Sequence, residues 1–263
     1  MARTNCTEIA NKEKPPVSPL RKKYIARLVA RCVIFAVCVV LLFVAPNEFE
    51  ILQGLNFFKR FSLLHILWGI WLFDMILQFI PIKNEISLGS QKLFKQRFRP
   101  IREKINRTAL KKHIETTTAA AGVVMLLWAL LVATIGLLYF FNVIGKEILF
   151  LCSVAFYVCD LICVLIWCPF RLILKNRCCT TCRIFNWDHL MMFSPFIAVR
   201  GFFSWSLFAV AFAIWLVWEI CVFTHPERFW ENSNMALKCS ECTDKRCTQY
   251  CRKLRKIDDK NQK

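Results

Sequence analysis

The chain has 263 residues, 57% of them hydrophobic, with 24 Phe, 9 Trp and a formal net charge of +18 from 36 Lys+Arg against 18 Asp+Glu. Soluble domains are usually about 45–50% apolar, so an ordinary soluble globule is excluded. Apolar blocks separated by basic loops point instead to an all-α, multi-pass integral membrane bundle.

Residues 1–24 are polar and basic and contain Pro15, Pro16 and Pro19, the composition of a disordered arm. The first apolar block, Tyr24 to Pro46, has an uninterrupted core from Cys32 to Ala45. No A-x-A-like site follows it, so it reads as a retained span rather than a signal peptide. Arg27 and Arg31 are expected to snorkel to the headgroups. The second span is Leu63–Ile82, closed by Pro81. The third is Ala119–Phe141, opened by small residues, and the fourth is Ile148–Phe170, stopped near Pro169. Each has about 20 residues, enough for a hydrocarbon core of about 30 Å. The last apolar region, 184–224, is too long for one span and is interrupted at Ser194-Pro195 and Arg200-Gly201. Phe202–Phe223 makes a full span, and Ile184–Val199 is a short tilted, re-entrant or in-plane arm. The expectation is five full spans plus one short arm over residues 25–224, followed by a Cys-rich basic tail, 225–263.

Lys/Arg counts in short loops set orientation. The N-terminal arm carries six, the 45–62 loop two, the 83–115 loop ten, the 142–147 loop one and the 171–183 stretch four. This alternation puts the N-terminus in the cytosol of a plasma-membrane protein. The tail after Thr224 carries ten more. It joins the same side if residues 184–224 form a hairpin that turns near Arg200-Gly201. Five spans would instead put the tail in an oxidising compartment, where its cysteines would form disulfides. With a cytosolic tail, the sequons at Asn5 and Asn106 are chance matches.

In the 83–115 loop, Phe94, Phe98, Ile101 and Ile105 follow four-three-four spacing among basic residues. This predicts an amphipathic helix on anionic lipid headgroups, perturbed at Pro100. The bilayer is the expected partner, rather than nucleic acid.

Fifteen cysteines cannot all pair within one chain. Cys239, Cys242, Cys247 and Cys251 form a C-x2-C-x4-C-x3-C run. In a reducing cytosol this is a candidate tetrahedral zinc site. An iron–sulfur cluster is the alternative, but the run lacks the usual ligand spacing and proline. A possible second set is Cys178, Cys179, Cys182 and His189, whose alternative is interfacial or lipidated thiols.

Asp74 and Asp160 sit inside spans, Glu219 lies nearer the end of the last one, and Arg200 marks the hairpin turn. A carboxylate at mid-bilayer costs about 2.5–3.5 kcal/mol on insertion scales. These residues are read either as a proton or cation path or as interhelical braces, with His65, Gln78 and Tyr157 as further polar contacts. Asp188 and His189 at headgroup depth are the first candidates for chemistry on lipid. Nucleotide, dinucleotide, metalloprotease and serine-hydrolase motifs are absent. Three functions follow: a membrane-anchored metal or redox module, a small transporter or channel using Asp74 and Asp160, or a non-catalytic scaffold.

Overall fold

The computed structural model describes residues 19–81, 86–101, 105–176, 178–238 and 241. Among them there are helices and turns but no strand; the β-type pairings are the isolated bridges Gly54–Gly201 and Pro100–Asn234. Four helices are long and apolar enough to cross a membrane. They are α1 (Pro19–Val44), α3 (Arg107–Phe140), α4 (Lys146–Leu165) and α6 (Phe202–Thr224). Between them lie the shorter α2 (Leu64–Leu77) and α5 (Asp188–Phe193).

The outer faces of these helices suit lipid. Along α1, Ile25, Val29, Val33 and Val37 recur every fourth residue and are all exposed, as are Leu126, Leu127, Leu130 and Leu131 on α3. Such apolar rows would be untenable in water and are favourable against acyl chains. The chain therefore has the makeup of a membrane-embedded helical protein.

Several expected boundaries move. The second expected span shortens to the 14 residues of α2, about 21 Å of helix. Ser62 Oγ accepts from Leu64 N (3.2 Å) at its start. At its end Pro81 has no N–H to give back to Leu77, so regular helix cannot run on through Pro81. The third span instead lengthens. Asn106 caps its start by accepting from Ala109 N (3.1 Å), and the helix then runs unbroken through Thr116–Thr118.

Over the described residues 94–101 the amphipathic helix expected around 94–105 does not form. Leu88–Gln91 makes one α turn, Lys95–Arg97 one 3₁₀ turn, and Phe98 is extended. Pro100 disfavours helix at the residue before it. The backbone pairs elsewhere: Met235 N donates to Arg99 O (2.8 Å) and Ile101 N to Ser233 O (3.3 Å).

The 184–199 arm is a chain of short turns: 3₁₀ at Phe185–Trp187, then α5, then 3₁₀ at Ser194–Ala198. A 3₁₀ helix rises about 2.0 Å per residue against 1.5 Å for α, so the arm is stretched lengthwise. Met191, Met192, Phe193, Ser194, Pro195 and Phe196 are all buried, making this arm the centre of the bundle.

One end of the bundle gathers the loop after α1, the α3–α4 loop and the 200–201 turn. Gly54 N donates to Arg200 O (2.8 Å) and Phe202 N to Gly54 O (2.9 Å), while Lys146 Nζ donates to Gln53 Oε1 (3.1 Å). Gly201 permits this contact, because a Cβ there would lie 2.0 Å from Leu52 O. The other end gathers the basic segments. Lys92 Nζ donates to Cys182 O (3.1 Å) and Arg228 Nη1 to Leu93 O (3.0 Å). The segment 225–238 thus packs on the same end as residues 86–101 and 178–183.

Candidate functional site: a buried ion cluster beside a cavity

The bundle interior holds a cluster of charged and polar side chains drawn from four helices. Arg31 of α1 is its hub. Its Nη1 donates to Asp160 Oδ2 (2.8 Å) and to Tyr157 O (2.7 Å), and Nη2 lies 3.7 Å from Asp74 Oδ2. The guanidinium carbon also sits 3.7 Å from the centre of the Tyr157 ring, a cation–π arrangement. Tyr157 OH donates to Asp74 Oδ2 (3.2 Å), closing the ring of contacts. On α5, His189 Nδ1 is 3.2 Å from Asp188 Oδ2 and 3.1 Å from Gln78 Nε2, so the end of α2 is tied in as well.

The arrangement follows from the sequence locally. Tyr157 and Asp160 are three apart on α4, so the phenol and the carboxylate share a helix face. Asp160 lies 14 residues after Lys146, the start of α4, which puts it about 21 Å along that helix. Arg31 lies 13 residues before Val44, about 20 Å from the same end of the bundle. The cluster is therefore deep, nearer the basic end.

Towards that basic end a cavity of about 250 Å³ opens. Asp160 and Asp188 line it, together with Trp128, Phe156, Met191 and Met192, and with thiols of Cys159, Cys163, Cys168, Cys178, Cys179 and Cys182. Asp188 Oδ1 and Asn176 Nδ2, on two of the lining residues, are fully buried and so are not open to the cavity. Towards the opposite end the way is filled by aromatic rings. Phe49, Trp71, Phe150, Phe193, Phe196 and Phe203 are all wholly buried. Their ring centres lie close: Trp71–Phe193 5.2 Å, Phe49–Phe150 5.4 Å, Phe150–Phe196 5.9 Å and Phe196–Phe203 6.1 Å.

The residues expected to form one ionic path divide into three places. Asp74 and Asp160 come together. Glu219 accepts from Arg183 at both carboxylate oxygens (2.7 and 2.5 Å) and from Trp187 Nε1 (2.8 Å), a separate brace near the basic end. Arg200 is exposed at the far end. Arg31, expected to snorkel outward, turns inward and is the residue that reading missed. Its depth along α1 was the available signal: a side chain about 20 Å from one end of the helix is placed for a buried partner as well as for the nearer headgroups.

The cysteine sets fare differently. Cys239, Cys242, Cys247 and Cys251 lie outside the described residues. Among the described residues, no group of three or more His, Cys, Asp or Glu is arranged to hold a metal ion. Cys178, Cys179, Cys182 and His189 thus do not converge on one point, because His189 is engaged by Asp188 and Gln78. Burial pushes the Cys179 thiol up to about 12 and the Cys182 thiol up to about 11, so both are protonated at neutral pH.

Comparison with known protein families, curated proteins and solved structures finds no match for this chain. Its function has to be read from the site.

Proposed function

We propose that the chain is a small membrane carrier that takes up and releases a proton or cation at the Arg31–Asp74–Tyr157–Asp160 cluster. The observation that carries this reading is the sharing of one guanidinium by two carboxylates. A single permanent cation offsets only one of two ionised acids, and an uncompensated charge in a bilayer core is costly. The second acid is therefore protonated or binds a cation, and the balance changes whenever that ion leaves. A cavity on one side of the cluster and an aromatic seal on the other give the geometry of a carrier open to one face. A brace alone would need neither the second acid nor the cavity. On the sequence's charge asymmetry the basic end faces the cytosol of a plasma-membrane protein.

The test is reconstitution of the purified chain into liposomes loaded with a pH-sensitive dye, with an imposed membrane potential. Wild type is expected to carry acid flux. Asp160→Asn and Asp74→Asn are expected to insert normally and reduce it at least tenfold. Full flux in both single variants and in the double would remove the proposal.

A second reading concerns the tail. Zinc held by Cys239, Cys242, Cys247 and Cys251 is supported by their spacing. It is also supported by the pairing of Ser233 and Met235 with residues 99–101, which starts the tail at the basic end. One zinc per chain in purified protein, lost when the four cysteines become serine, is the expected result. Metal-free protein with four reactive thiols, visible iron–sulfur absorbance, or disulfides there would each end this reading.

A further inference from the structure

The thiols lining the cavity play no part in the carrier reading. We infer that Cys163 and Cys168 are a redox couple, oxidised to a disulfide by an organic hydroperoxide that seats in the cavity beside them. The inference does not rest on the carrier reading, and its test reads thiol chemistry rather than flux.

The pair comes first. Both cysteines line the cavity and, like every other described cysteine, are free thiols. Cys163 lies on the last turn of α4, which ends at Leu165. Ile166 N (2.8 Å) and Trp167 N (3.1 Å) then both donate to Ile162 O, a tight winding that folds the chain back and brings Cys168 beside Cys163. The Cys163 thiol donates a hydrogen bond to the Cys168 sulfur. The backbone N–H groups of Phe170 and Arg171 donate to the same sulfur, and the Arg171 guanidinium adds a positive charge nearby. The Arg171 N–H is shared with Cys168 O (3.3 Å). Led by the Cys163 thiol, these groups hold the Cys168 thiol below the ordinary thiol range against the opposing effect of burial, and the thiolate is the nucleophilic form. The neighbouring thiols are less suited. Burial keeps Cys179 and Cys182 protonated, and Cys178 Sγ accepts from Thr180 Oγ1 (3.2 Å).

The cavity then selects the oxidant. An apolar cavity of about 150 Å³ is enough to hold benzene, so the 250 Å³ found here admits a hydroperoxide group on an aryl or short alkyl body. Trp128, Phe156, Val164 and Met191 give that body apolar walls. The Cys168 sulfur attacks the outer peroxide oxygen. The O–O bond breaks, an S–O bond forms, and the thiol proton leaves with the alcohol. The Cys163 sulfur next attacks the Cys168 sulfenic acid. The S–O bond breaks, an S–S bond forms, and water departs. Two electrons pass from the two thiols to the peroxide, which ends as one alcohol and one water. Closing the sulfurs to an S–S bond of about 2.05 Å falls on the residues after Leu165, outside the regular helix. In a reducing cytosol such a bond is transient, the usual form of a redox-sensing disulfide there.

The experiment exposes the reduced, purified full-length chain in detergent to cumene hydroperoxide or to hydrogen peroxide. Remaining thiols are blocked with N-ethylmaleimide, and the tryptic peptide from Glu147 to Arg171 is sequenced by mass spectrometry. The expected result is a Cys163–Cys168 disulfide that dithiothreitol reverses, formed at least tenfold faster with cumene hydroperoxide than with hydrogen peroxide. Cys32, exposed on α1, is the reference for peroxide concentrated by the micelle and is expected to show no comparable gain. Cys163→Ser is expected to stop at a Cys168 sulfenic acid that dimedone traps. Val164→Phe, which narrows the cavity and keeps both thiols, is expected to slow the cumene hydroperoxide reaction at least tenfold and leave the hydrogen peroxide reaction within twofold. Absence of the disulfide, pairing of either cysteine with another, equal rates for the two peroxides, or an equal gain at Cys32 overturns the inference. So does an unslowed cumene hydroperoxide reaction in Val164→Phe. If that variant fails to give a monodisperse protein, the wild-type pairing and the rate ratio against Cys32 decide. Disulfide formation without acid flux in liposomes would remove the carrier reading and leave this one standing; flux without the disulfide would do the reverse.

Discussion

Arg31 and Asp160, 129 residues apart in the chain, meet at 2.8 Å in the interior of the bundle. Removing one partner of a buried pair leaves an uncompensated charge and typically costs about 3–5 kcal/mol, whereas removing both is far milder. Arg31→Met is therefore expected to destabilise the protein by about that amount. The double variant Arg31→Met/Asp160→Leu is expected to recover most of the loss. Unfolding in mixed micelles, read by tryptophan fluorescence, gives the double-mutant cycle. Additive losses would mean that the pair does not couple.

Glu219 offers a contrast. It accepts two bonds from Arg183, which is 3% exposed, and one from Trp187. It lies outside the cavity-lining residues and apart from the Arg31 cluster. Glu219→Gln is expected to cost about 2–4 kcal/mol of stability by leaving Arg183 without its counter-charge. Acid flux in folded protein is expected to be unchanged. Loss of flux in proportion to that of Asp160→Asn would place Glu219 back in the path.

Lys92 gives a pH signature. Its ammonium is wholly buried at the basic end, held by Cys182 O and lying 5.0 Å from the Trp218 ring. Burial lowers its pKa to about 7. The folded state thus binds this proton less well than the unfolded state does. Above the ordinary lysine value of about 10.4 neither state is charged, and the group costs nothing. As pH falls from there towards 7, stability drops by up to about 1.4 kcal/mol per pH unit, and below 7 the loss is complete. Between pH 7 and 9 wild type should therefore gain stability relative to Lys92→Met. Parallel pH dependence of the two midpoints would refute the assignment.

Gly201 is expected to resist substitution for a geometric reason. A Cβ at this position would sit 2.0 Å from Leu52 O, on the backbone of the neighbouring loop. Gly201→Ala has to displace that loop, at about 1–3 kcal/mol. Gly136, with nothing within 4 Å of an added Cβ, should accept alanine with no loss. Thermal midpoints of the two variants make the comparison.

Much of the architecture was readable from the residues, because long apolar runs and the prolines that end them act locally. Phe202–Thr224 and Lys146–Leu165 fall close to where hydropathy puts them. The acid pair was half legible. Asp74 and Asp160 stand out as carboxylates in apolar runs, but periodicity does not say which residue on another helix meets them. Arg31 escaped notice because it sits four residues after Arg27 at the edge of the apolar core, where snorkelling is the local expectation. The 94–105 segment misled for the opposite reason. Its spacing is helical, yet Pro100 and the pairing of Arg99 and Ile101 with residues 233–235 hold part of it extended. Those partners are more than a hundred residues away, and no local pattern announces them.

The stretched turn at Ser194–Ala198 has a mechanical corollary. Five residues wound at about 2.0 Å each instead of 1.5 Å hold roughly 2.5 Å of extra reach. Phe196 is the third of the five, so it owes about half of that reach, roughly 1 Å, to the tighter winding. That reach lets a short arm carry its buried rings across the bundle and still meet the turn at Arg200 and Gly201, where the last long helix begins.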